Sequence, residues 1–100
     1  MFPLSKNQIL TQLKDDKAIL SHFGVAQIGL FGSFVRDESN ENSDIDILVE
    51  FLPEQKTFRN YMDLKIYLED SFHRKIDLVI KDSLKVRIKD QILSEAVYAA

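Results

Sequence analysis

Two aspartates, Asp44 and Asp46, begin the otherwise apolar run DIDILVEF, and a third, Asp77, interrupts the apolar run KIDLVI. An isolated buried carboxylate is costly, so a core strand seldom carries one without a use for it. Side chains alternate along a strand. Asp44 and Asp46 therefore share one face, while Ile45, Ile47 and Val49 point the other way into a core. Two carboxylates this close repel each other and raise one pKa unless a cation is supplied. Mg²⁺ suits such a place: it takes a few carboxylates, keeps some waters and completes its shell with substrate phosphates. If the two strands are neighbours, Asp77 lies beside Asp46. The three acids could then hold two ions about 3.5–4 Å apart, on the attacking and leaving oxygens of an in-line displacement. A single Asp at a strand start is as readily a cap or an edge residue, so the inference rests on the set. An EF-hand reading of DESNENSDID fails, because counting from Asp37 puts Asn42 at the sixth position and Leu48 at the twelfth, where Gly and Glu belong.

Gly32 and Ser33 precede the acids. Glycine lets the backbone approach a ligand closely, and a helix opening at Ser33 would direct free N–H groups at an anion such as a phosphate. Arg36, three residues after Ser33, could neutralise phosphate charge or could simply pair with Asp37 or Glu38. Alone, Gly-Ser after a strand marks an ordinary turn; its weight comes from its distance to the acids.

The elements that must position these groups follow from periodicity. Ser5 is a plausible N-cap for a helix with Ile9, Leu10 and Leu13 on one side. Asp15-Asp16 interrupts it, and a second segment with Ile19, Leu20 and Phe23 ends at Gly24, a suitable residue just past a helix. Val25 to Phe31 reads as a buried strand, followed by a short helix through Phe34 and Val35. Residues Asp37 to Ser43 are all polar and form a surface loop. A strand from Asp44 to Phe51, a helix from Phe58 to Phe72 with Tyr61, Leu64, Leu68 and Phe72 on one stripe, and a strand from Lys75 to Ile80 come next. Ser83 is expected to cap a last helix with Leu84, Ile88 and Ile92 inward. This alternation predicts an α/β (α+β) domain, a small sheet of about three core strands backed by helices. Tyr61, Tyr67 and Phe58 could stack on a base, but their helical spacing favours a core role. His22 reads as a helix-end residue and His73 as part of a loop; they form no site.

Bulk properties narrow the field. One hundred residues allow one domain with one core, read as 1–100. With no cysteine there is no disulfide, thiolate site or cysteine nucleophile, which fits a reducing compartment. Met1 to Leu10 lacks the pattern of a signal peptide, and no apolar run approaches the ~20 residues that span a bilayer. A cytoplasmic protein without membrane attachment is expected. A net charge of −3 argues against sequence-independent nucleic-acid binding. Lys81, Lys85, Arg87 and Lys89 cluster, but Asp82 and Asp90 dilute them into a solvated face.

Taken together, Gly32-Ser33, ten intervening residues and Asp44-Ile45-Asp46 resemble the signature of the DNA polymerase β-type nucleotidyltransferase superfamily. The longer string LFGSFVRDESNENSDIDILVEF, followed by KIDLVI, is similar in particular to the small MNT-type (minimal nucleotidyltransferase) proteins of bacteria and archaea. The likeness is strong from Val25 to Phe51 and clear at KIDLVI, whereas the flanking helices match only in order and length. It implies a small mixed sheet backed by helices. It also implies nucleotide phosphates held at Gly32 and Ser33, divalent metal at Asp44 and Asp46, and Asp77 helping to bind the catalytic metal and activate the acceptor hydroxyl. MNT-type proteins commonly serve as antitoxins of HEPN-domain toxins, and several resemble enzymes that move AMP from ATP onto a tyrosine of that partner.

With 100 residues nearly taken up by the core fold, little surface is left to enclose a second substrate. The expectation is an acceptor that brings its own surface, as a folded protein does. A second class of function is a stoichiometric antitoxin that neutralises its toxin by binding alone. A third is nucleotidyl transfer to a small molecule, disfavoured by size, or to RNA, disfavoured by charge. The sequence leaves homo- and hetero-oligomers both open.

Overall fold

In a computed structural model the chain runs α1 (Lys6–Asp15), α2 (Lys17–His22), β1 (Val25–Phe31), a 3₁₀ turn (Gly32–Phe34), β2 (Ile45–Phe51), α3 (Phe58–Phe72), β3 (Ile76–Ile80), a second 3₁₀ turn (Lys81–Ser83), α4 (Val86–Glu95) and β4 (Val97–Tyr98). Residues 4–99 are described; Met1 to Pro3, part of the stretch read for a signal peptide, lie outside them.

Local chemistry sets the helix ends. Ser5 and Gln8 form a reciprocal capping box, with the Gln8 N–H donating to Ser5 Oγ at 3.2 Å and the Ser5 N–H to Gln8 Oε1 at 2.8 Å. Asp16 closes α1 and opens α2, so the Asp15-Asp16 break falls where expected. Thr57 caps α3 through the Asn60 N–H at 3.1 Å. His73 ends α3 in a left-handed conformation at φ 53°.

The sheet is mixed, in the order β3-β2-β1-β4. β1 pairs antiparallel with β2 and β4, and β2 pairs parallel with β3. A parallel pair needs a long crossover, which α3 supplies. One sheet face carries Ile28, Leu30, Ile45, Ile47, Val49, Ile76 and Leu78 into a core with Ile9, Leu13 and Leu20 from α1 and α2 and Leu64 and Leu68 from α3. Tyr61 and Phe72 pack against this core, and the Tyr61 hydroxyl donates to the Leu78 carbonyl at 2.7 Å. No helix among the described residues is long and apolar enough to cross a membrane.

The three expected strands are joined at the sheet edge by a short fourth, β4, whose two residues show no readable alternation. Two expectations are corrected. Ser83 does not cap the last helix: it sits in the 3₁₀ turn, the Leu84 N–H donates to the Lys81 carbonyl at 3.3 Å, and α4 starts at Val86 behind Lys85, without a side-chain cap. Leu84 lies outside the helix, and Ile88, within α4, is 45% exposed instead of inward. Phe58, at the first turn of α3, is 79% exposed and belongs to no core.

Candidate active site

β2 lies between β1 and β3, and its register brings the predicted groups together. Asp46 pairs with Asp77 across the parallel β2–β3 ladder and with Phe31 across the antiparallel β1–β2 ladder. The residue after Phe31 is Gly32, so the Gly-Ser turn leaves β1 directly against the Asp46 side chain. Asp44 sits just before β2, exposed, and Asp77 is exposed on the edge strand β3. Asp46 is half-buried, and Ile45, Ile47 and Val49, on the opposite face, are fully buried.

Only glycine fits at position 32. Its φ is +76°, and a Cβ there would collide with the Asp46 carboxylate, whose Cγ would be 2.7 Å away. A residue with φ in this range is strained unless it is glycine. The missing Cβ is what lets the acid approach the turn backbone.

The Asp46 carboxyl is pushed up from 3.8 to about 6. Burial is the main cause, the Asp77 charge and a hydrogen bond with Asp77 follow, and Asp44 adds a smaller push. The Ser33 backbone N–H pulls the other way. The pair thus carries the repulsion that a bound cation relieves. Among the described residues no three potential ligands are drawn in tightly enough to hold one ion by themselves. A partial protein shell matches Mg²⁺, which takes ligands from water and substrate phosphates as well.

Arg36 is near the Gly-Ser turn and paired. Its Nε donates to Glu38 Oε2 at 3.3 Å and its Nη1 to Glu95 Oε1 at 3.2 Å, while Asp37 is not its partner. Two neighbouring residues escaped sequence reasoning. Glu95, at the end of α4, also accepts the Gly32 N–H at 2.9 Å. Arg74 donates through Nη1 to the Asn40 and Ser43 carbonyls, both at 3.0 Å, and lies over the Phe34 ring at 5.3 Å. It ties down the polar loop that delivers Asp44. Neither carried a readable signal, because each partner is a backbone group or a residue more than thirty positions away. The aromatics expected in the core divide: Tyr67 packs on Phe23 at 5.6 Å between centroids, and Phe58 is exposed.

A strand ending in a Gly-Ser turn beside paired strand aspartates, on a small mixed sheet backed by helices, is the plan of a nucleotidyl-transfer domain. The chain belongs to the nucleotidyltransferase domain family, whose profile matches residues 8–99, and it is a nucleotidyltransferase of the minimal, MNT type. It is 46% identical over 90 residues to the protein adenylyltransferase MntA of Thermococcus cleftensis, covering 90% of this chain and 88% of that one. A solved structure of a candidate minimal nucleotidyltransferase superposes with a TM-score of 0.81 at 29% identity, over 94% of this chain and 95% of the other. A chain from the complex of tri-AMPylated Shewanella oneidensis HEPN toxin with MNT antitoxin shares the fold, with a TM-score of 0.62 at 20% identity, over 91% of this chain and 71% of that one.

Proposed function

We propose that this chain is a Mg²⁺-dependent protein adenylyltransferase that moves AMP from ATP to a tyrosine hydroxyl of a HEPN-domain toxin and so acts as its antitoxin. The observation that carries the reading is the meeting of Asp46 with both Asp77 and the Gly32-Ser33 turn at one end of the sheet. The 46% likeness to a protein adenylyltransferase supports the reaction class, and the shared fold with an antitoxin bound to an AMPylated HEPN toxin supports the partner class. A cytoplasmic setting agrees with a chain free of cysteine.

In this reading Asp44, Asp46 and Asp77 hold the metal, while Gly32, Ser33 and Arg36 hold the nucleotide phosphates. Bound Mg²⁺ would supply charge neutralisation at the phosphates, where most of the catalysis of such transfers lies. The tyrosine oxygen forms a bond to the α-phosphorus, the bond from that phosphorus to the bridging β-phosphate oxygen breaks, and pyrophosphate leaves. The hydroxyl proton passes to a carboxylate, a role for Asp77, exposed on the outer strand. Positioning accounts for most of the rest, so a small scaffold suffices.

The test is label transfer from α-phosphate-labelled ATP to the product of the gene beside this one, which the reading expects to be a HEPN-domain protein. Wild type should label it in the presence of Mg²⁺, and Asp77→Asn should not. Equal labelling by the two proteins, or labelling without a divalent ion, contradicts the reading.

A further inference from the structure

The groups assigned above to nucleotide phosphate already hold an anion. Glu95 Oε1 accepts from the Gly32 N–H at 2.9 Å and from Arg36 Nη1 at 3.2 Å, and Oε2 lies 3.3 Å from the same nitrogen. The other edge of the guanidinium is occupied too, since Nε donates to Glu38. The Glu95 side chain is 20% exposed, against 64% for Glu38, so Glu95 is the sheltered partner of the two. A carboxylate and a phosphate are the same kind of charge-assisted acceptor, and they compete for one set of donors. Arg36 with Glu38 and Glu95 sums to a negative charge, and the Asp46 carboxylate lies against Gly32 on the other side. An arriving triphosphate would therefore meet repulsion while Glu95 stays in place.

The segment that carries Glu95 is lightly fastened. α4 contains no buried residue, and the chain is fastened again beyond it, where β4 pairs with β1 at two positions and the buried Ala99 donates its N–H to the Ile28 carbonyl at 2.9 Å. Elements with few buried contacts open at low free-energy cost. We propose that Glu95 is a placeholder for a nucleotide phosphate: its carboxylate occupies the Gly32 N–H and Arg36 in the nucleotide-free protein and is displaced when the triphosphate binds. Part of the nucleotide's binding free energy is then spent on this exchange, and Glu95 lowers the apparent affinity. The inference rests on the nucleotidyl-transfer reading of the site.

The test compares calorimetric titrations of Mg²⁺ with AMP-PNP into wild type, Glu95→Gln and Glu38→Gln. Glu95→Gln removes the competing charge and should bind the nucleotide several-fold more tightly. Glu38→Gln removes an equal charge from the same guanidinium without touching Gly32, and should change affinity less. Equal or weaker binding by Glu95→Gln, or equal tightening by Glu38→Gln, overturns the placeholder and leaves the enzymatic reading standing. Absence of binding in all three, wild type included, removes both. Wild type alone offers a second readout, which does not depend on a variant folding. Saturation with Mg²⁺ and AMP-PNP should shift the NMR signals of the Gly32 amide and the Glu95 side-chain carboxyl together. Binding that leaves both unmoved contradicts the exchange.

Discussion

Asp46 of β2 and Asp77 of β3 occupy paired positions of a parallel ladder, so their carboxyls meet on one sheet face beside the Gly32-Ser33 turn.

Gly32→Ala places a methyl group in the Asp46 carboxylate and strains a backbone at φ +76°. A conflict of this kind costs about 1–3 kcal/mol, which for a domain this size lowers Tm by roughly 4 °C or more. Thermal unfolding measures the loss, and nucleotide binding should weaken with it. An unchanged Tm together with unchanged binding contradicts the tight approach.

The raised Asp46 carboxyl sets a pH dependence in metal-free protein. Its folded-state pKa of about 6 exceeds the ordinary 3.8. Between those values the folded state binds more protons than the unfolded state, so stability falls as pH rises through the window. Denaturant unfolding in EDTA across pH 4–6.5 should show that slope superimposed on the other groups, and Asp46→Asn should flatten it. A slope identical in wild type and variant excludes Asp46 as its source.

Asp46→Asn should separate stability from activity. It removes the repulsion with Asp77, so metal-free Tm should stay level or rise. Transfer should drop by about 10²-fold or more, as when a key electrostatic contact is lost. Near-normal turnover in this variant would contradict a metal role for the pair.

Arg74→Ala releases the loop from Asn40 to Ser43. Charged hydrogen bonds of this kind contribute about 1.5–3 kcal/mol when measured by deletion. Faster amide exchange at Asn42 and Ser43, with a modest fall in transfer through the freed Asp44, is the expected outcome. Unchanged exchange there would mean that the loop is held by its own contacts, such as the Asn42 N–H to Asn40 Oδ1 at 2.8 Å.

Much of this arrangement is legible in the sequence because it rests on local rules. Strand alternation separates Asp46 from Ile45 and Ile47, and the apolar stripe of α3 places Leu64 and Leu68 in the core. The Asp46–Asp77 pairing depended on β2 and β3 being neighbours, which no local pattern states. β4 escaped notice because two residues cannot show a period, and Glu95 because a helix-end acid looks like any solvated charge. Ser83 misled for a related reason. Its side chain suits a helix cap, but the 3₁₀ turn engages the backbone first, and α4 starts only at Val86.

The most direct measurement is the intact mass of a HEPN-domain toxin, the proposed partner, after incubation with this chain and Mg²⁺-ATP. With wild type the mass should rise by one or more AMP units on tyrosine, and with Asp44→Asn/Asp46→Asn it should not. An unmodified partner with wild type, or equal modification by the double variant, would contradict adenylyl transfer at the Asp46–Asp77 pair.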